Sequence, residues 1–155
     1  MSPRILLVAF ALVLLGIAIV RPNGSPSRGP YHADPARTPG VLNSDVTQSN
    51  INSTICVHGW TKTIRPPTSY TSALKAKQMR EYGVGGSTSD YQEDHLISLE
   101  LGGHPTDPRN LWPEPYPRAS AVDSIENELN AEVCSGQLTL AEAQQKEDDL
   151  KHTQG

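Results

Sequence analysis

Apolar residues recur at three- and four-residue steps through residues 119–134, at Ala121, Val122, Ile125, Leu129 and Val133, and Ser135-Gly136 follows. That spacing lays one stripe along one face of an α-helix, and the glycine marks its end. Thr139 is placed to cap a last helix that begins at Leu140 and runs to about Leu150, with residues 151–155 as a frayed polar tail. An earlier Ala/Lys/Gln-rich helix is predicted through Leu74 and Met79 to Tyr82, capped by Ser69 or Thr71 and stopped by Gly83. Strand patterns are shorter. Ile51, Thr54, Ile55 and Val57 favour a strand within residues 46–57, continued by residues 59–65 until Pro66-Pro67 breaks it. Residues 91–95 read as a strand, Gly102-Gly103 as a turn, and Asn110-Leu111-Trp112 as a second short strand that Pro113, Pro115 and Pro117 stop. Short strands followed by helices, without repeats, indicate a small α+β domain.

The N-terminus follows a different pattern. Arg4 precedes an unbroken apolar run over residues 5–20, and Arg21-Pro22 ends it. The run is long for a signal peptide and short for a spanning helix, which needs about 20 residues. Residues 1–21 are therefore either a cleaved signal peptide or a membrane anchor, and both place the rest of the chain outside the cytosol. Residues 22–39 are rich in Pro, Gly, Ser and Arg and read as a flexible linker, so the domain is expected over residues 40–150. Cys56 and Cys134 suit an oxidising compartment and suggest one disulfide; two buried thiols are the alternative. A bridge between them closes a loop worth about 4 kcal/mol by chain entropy.

Charge shifts the balance of partners. The chain has 13 basic and 17 acidic residues, and without Arg4 and Arg21 the ratio is 11 to 17. Nucleic-acid binding normally leans on a basic surface. The distribution is uneven, however: residues 62–80 carry Lys62, Arg65, Lys75, Lys77 and Arg80 with no acid, whereas residues 123–149 carry eight acids and one Lys. No P-loop, GxSxG or dinucleotide fingerprint occurs, which disfavours nucleotide-driven and α/β-hydrolase chemistry.

The chemistry concentrates in Asp94-His95, Gly102-Gly103 and Asn110-Leu111-Trp112. A carboxylate suits a hard cation, a neutral imidazole suits proton abstraction from water, and an Asn amide can tie a loop to backbone. These residues, in this order and before a helix, resemble the core of HNH (His-Me finger, ββα-metal) nucleases. Residues 91–115 are also similar to small exported bacterial HNH-like proteins, and the likeness extends over about residues 39–150. The resemblance implies a ββα-metal core with additional N-terminal strand and helix and a C-terminal helix. It further implies metal-dependent hydrolysis of phosphodiester bonds in DNA or RNA. His95 would be the general base, Asn110 the loop brace, and Asp94 the first ligand to Mg²⁺, with Mn²⁺ as the alternative. The helix should supply a further ligand. Asn127 fits the family motif best, Asp123 lies one turn before it, and Glu126 is either a ligand or solvent-facing. Arg109, Lys75, Lys77 and Arg80, together with Arg65, are candidate phosphate contacts. Ser98 and Val122 depart from the family pattern, which commonly has Pro and Lys there. The departures and the acidic balance support a rival reading, a catalytically inactive exported binding or envelope-associated module.

Overall fold

The computed structural model describes residues 32–153. The signal peptide or anchor expected over residues 1–21 and the first part of the expected linker lie outside the described residues. Among the described residues, no helix is long and apolar enough to cross a membrane.

The fold is α+β. Its helices are α1 (Trp60–Ile64), α2 (Thr68–Glu81), α3 (Arg118–Cys134) and α4 (Leu140–Thr153). The strands β1 (Tyr91–His95) and β2 (Leu111–Pro115) form a two-stranded antiparallel sheet. The register pairs His95 with Leu111 and Asp94 with Trp112. Helix α2 packs on both strands, and α3 follows the sheet and packs on it as well.

Local signals explain most boundaries. Gly83, at φ +66°, lets the Val84 amide turn back to the Met79 carbonyl after α2. Thr139 and Glu142 cap α4 reciprocally: the Glu142 carboxylate accepts from the Thr139 amide at 2.8 Å, and the Thr139 hydroxyl from the Glu142 amide at 3.2 Å.

Several expectations need correction. The prolines do not stop the second strand after Trp112: β2 runs to Pro115, with Pro113 opposite Glu93, because each strand of a two-stranded sheet has an edge that needs no N–H. Helix α2 begins at Thr68 behind Pro67 instead of at a Ser69 or Thr71 cap. The strand expected within residues 46–57 is instead a 3₁₀ turn, Gln48–Ser53. Asn50 accepts from the Thr47 amide and donates to the Asp45 carbonyl, so local side chains satisfy the backbone and no ladder forms. The expected continuation over residues 59–65 is helix α1, entered through Gly59 at φ +79°. The expected linker and tail pack on each other at their near ends. Ala33 and Thr38 are buried, the Ala33 amide donates to the Lys151 carbonyl, and His152 hydrogen-bonds the Thr38 carbonyl. Helix α4 thus continues past residue 150, and Lys151 is wholly buried.

The main core gathers Val46, Ile51, Ile55, Ile97, Leu101, Leu129, Val133, Leu140 and Ala143 between the 3₁₀ turn, α3 and α4. A smaller cluster of Ala33, Leu96 and Trp112 lies behind the sheet, with Tyr82 against it. Leu96 and Ile97 are adjacent yet enter different clusters, which fixes the turn after β1 from both sides.

Cys56 and Cys134 form a disulfide that joins the segment before α1 to the end of α3, 78 positions apart. Replacing both by Ala is expected to cost about 2–5 kcal/mol through the freed unfolded chain. A lower urea midpoint, with a steeper slope as the freed unfolded chain exposes more surface, is the readout, and an unmoved midpoint would refute a stabilising role.

Candidate functional site

The cleft beside β1 has a volume of about 530 Å³ and is bordered by β1, the turn after it, α3 and the end of α1. Because β1 belongs to a two-stranded sheet, both of its faces can border one opening. Glu93, Asp94 and His95 all do so. From α3 come Asp123, Glu126 and Asn127, and from the α1 end comes Arg65.

Asp94, Asp123 and Glu126 each offer an oxygen within 4.8 Å of the other two. The Gln92 amide donates to Asp94 Oδ1 at 3.2 Å and lies 3.4 Å from Asp123 Oδ1, tying the strand carboxylate to the helix one. An all-oxygen carboxylate set fits a hard divalent cation. Asn127, expected as the helix ligand, turns back to donate to its own helix at the Asp123 carbonyl, 2.6 Å away. Glu126 takes the inward place. It is buried because it falls on the stripe Ala119, Val122, Glu126, Leu129, Val133, whereas Ile125 is left exposed.

His95 is buried, and its Nε2 lies 3.0 Å from the Pro105 carbonyl oxygen. A carbonyl only accepts, so Nε2 carries the hydrogen and Nδ1 keeps the basic lone pair. Burial lowers the imidazole pKa below its ordinary 6.5, against the bond to Pro105 and the Asp94 charge, so His95 is neutral at neutral pH.

Asn110 is wholly buried and braces the turn. Its Oδ1 accepts from the Ile97 amide at 3.0 Å, and its Nδ2 donates to the Ile97 and His104 carbonyls at 3.0 Å each. Gly103 lies against this bridge.

The back of the cleft holds groups the sequence reading missed. Lys151 Nζ donates to Asp94 Oδ2 at 2.8 Å, the His95 carbonyl at 2.5 Å and Glu126 Oε1 at 2.5 Å, with Glu147 Oε1 at 3.2 Å. Glu147 in turn accepts the Ser98 amide on both oxygens at 3.0 Å. Burial opposes the charge on Asp94, yet the Lys151 ammonium holds its carboxyl down at about 2. A signal was present. Leu140, Ala143, Glu147 and Lys151 continue one helical stripe, so the charged pair shares the apolar face.

Two further carboxyls sit in the sheet. Glu114 pairs with Arg118, and burial with the Asp94 charge pushes it up to about 8. Glu93 has both oxygens buried with no hydrogen-bond partner, and burial pushes it up to about 8, against Lys75 and with Asp94. A raised folded-state pKa means stability that is complete below about 4.5 and lost as pH rises through 8. Glu93→Gln is therefore expected to stabilise the metal-free protein above pH 8, on the order of 3 kcal/mol, and to change little at pH 4.5. Melting curves in EDTA at both pH values test this; an equal effect at both would refute it.

The expected phosphate contacts do not gather here. Arg109 pairs with Asp107, Lys77 with Glu81, Lys75 donates to the Tyr91 carbonyl, and Arg80 donates to Ala76 of its own helix. None of the four lines the cleft, whereas Arg65 does. Comparison of the chain with family models, curated proteins and solved structures finds no match.

Proposed function

We propose that the protein is an exported, metal-dependent phosphodiesterase of the HNH (His-Me finger) type, acting on DNA or RNA outside the cytosol. The observation that carries this reading is the Nε2-anchored, neutral His95 beside the carboxylates Asp94, Asp123 and Glu126. The order hairpin then helix, with Asn110 bracing the turn, supports a ββα-metal core. The disulfide supports an extracytoplasmic location.

His95 Nδ1 takes a proton from water as the water oxygen bonds to phosphorus and the bond to the 3′ oxygen breaks. The leaving oxygen is protonated from solvent. Pro105 holds the ring so that Nδ1 stays basic, and Asn110 holds the turn that follows His95. A hard divalent cation such as Mg²⁺ or Mn²⁺, held by Asp94, Asp123 and Glu126, would offset negative charge on the phosphate and the departing oxygen. Arg65 is the cation at the cleft mouth available to a phosphate.

The rival reading, an inactive exported binding or envelope-associated module, draws on Lys151, which already neutralises part of the charge on Asp94 and Glu126. Incubating the oxidised full chain with supercoiled plasmid and with RNA in Mg²⁺, Mn²⁺ or EDTA separates the two. Cleavage that needs the metal supports the hydrolase. No cleavage by folded protein with either ion transfers the assignment to the binding module.

A further inference from the structure

We propose that Lys151 is a positioning residue, a built-in cation at the back of the cleft that holds Asp94, Glu126 and the His95 backbone in place whether or not a metal is bound. The inference rests on the reading of the cleft as a divalent-cation site. An ammonium has three hydrogens. Those of Lys151 go to Asp94 Oδ2, the His95 carbonyl and Glu126 Oε1, which come from β1 and α3. Glu147, one turn earlier on α4, contributes charge at 3.2 Å and fastens the Ser98 amide. The end of α4 thus ties together the strand, the turn after it and the facing helix.

Asp94 gives Oδ2 to Lys151 while its Oδ1 accepts from the Gln92 amide that also lies 3.4 Å from Asp123, Glu126 gives Oε1 to Lys151, and all three acids border the cleft. Three carboxylates, Asp94, Glu126 and Glu147, meet one ammonium, and Asp123 lies beside the first two. Without Lys151, the buried carboxyl groups lose the cation that offsets their desolvation and the hydrogen bonds that hold them together. With it, a cation meets ligands already in place rather than having to gather them.

Melting the full chain and Lys151→Met, in EDTA and in Mn²⁺, tests the proposal, with Mn²⁺ binding followed by electron paramagnetic resonance. Lys151→Met is expected to lose about 10–20 °C of Tm in EDTA, from one broken buried ionic cluster in a domain of this size. Mn²⁺ should restore at least half of that loss, and adding Asp94→Asn should abolish the restoration. If the variant does not fold in EDTA, the folded yield on refolding with and without Mn²⁺ gives the same reading. An equal loss in both media would overturn the proposal by making Lys151 a plain core ion pair, and so would an unchanged Tm in EDTA. Failure of the wild-type chain to bind Mn²⁺ counts separately, against the proposed function. Restoration of the variant by Mn²⁺ would still uphold Lys151 as the built-in cation.

Discussion

His95→Ala is expected to lower metal-dependent cleavage by about 10²–10⁴-fold, the usual contribution of a positioned general base. The imidazole is not among the clustered oxygen ligands, so Mn²⁺ binding should persist in the variant. That separation between a lost rate and a retained ion distinguishes a base from a packing residue. Single-turnover nicking of plasmid, alongside Mn²⁺ titration of the same preparation, reads both quantities. Full activity in His95→Ala would remove the residue from the mechanism. Joint loss of activity, ion and fold would make it structural. The pH profile carries a second expectation. Burial holds the imidazole pKa below 6.5, so activity should rise with pH only below that value and be level with respect to this group at neutrality.

Gly103→Ala is expected to cost more than about 3 kcal/mol, beyond ordinary overpacking, and to leave little folded protein. A Cβ at this position would lie 1.7 Å from the Ile97 carbonyl oxygen and 2.7 Å from Asn110 Nδ2. Neither atom can retreat, because the Asn110 amide binds Ile97 through both its oxygen and its nitrogen. The companion Asn110→Ala keeps the space but strips partners from the Ile97 amide and from the Ile97 and His104 carbonyls. About 2–4 kcal/mol is expected for that loss. Denaturant midpoints of the two variants test the argument. A Gly103→Ala protein within about 1 kcal/mol of wild type would show that the turn can relax, and the account of the paired glycines would fail.

The paired glycines also mark how far sequence reasoning reached. Gly102-Gly103 were legible as a turn, and Gly102 does adopt φ +78°. The need for glycine at Gly103 comes from elsewhere: a carbonyl six positions earlier passes too close for any Cβ. The strand expected near Ile51 and Ile55 failed for a related reason. Their four-residue spacing and the surrounding Ser, Asn and Thr suit a turn with its own side-chain hydrogen bonds. β-branched preference expresses packing on a pleated surface, and no neighbouring strand supplies one here.

Within the candidate site, Asp94, His95 and Asn110 were visible because they fall in a short ordered string. Asn127 and Glu126 exchanged places because the stripe on α3 was read from apolar residues alone. Apolar spacing points Ile125 inward, and the structure leaves it exposed. Of the candidate phosphate contacts, the fold pairs Lys77 and Arg109 with acids, turns Lys75 and Arg80 to backbone carbonyls, and brings Arg65 to the cleft.

The sequence by itself determined the three longer helices α2, α3 and α4, the pairing of two short strands and the disulfide partners, since each depends on a few neighbours, a regular period or a simple count. Only the tertiary structure decided which charges are buried. Periodicity sets Glu126, Glu147 and Lys151 on the inward stripes, whereas their charge assigns them to solvent. Their burial is stable only as a set, because Lys151 reaches carboxylates 25 and 57 positions away and each charge offsets the desolvation of the others.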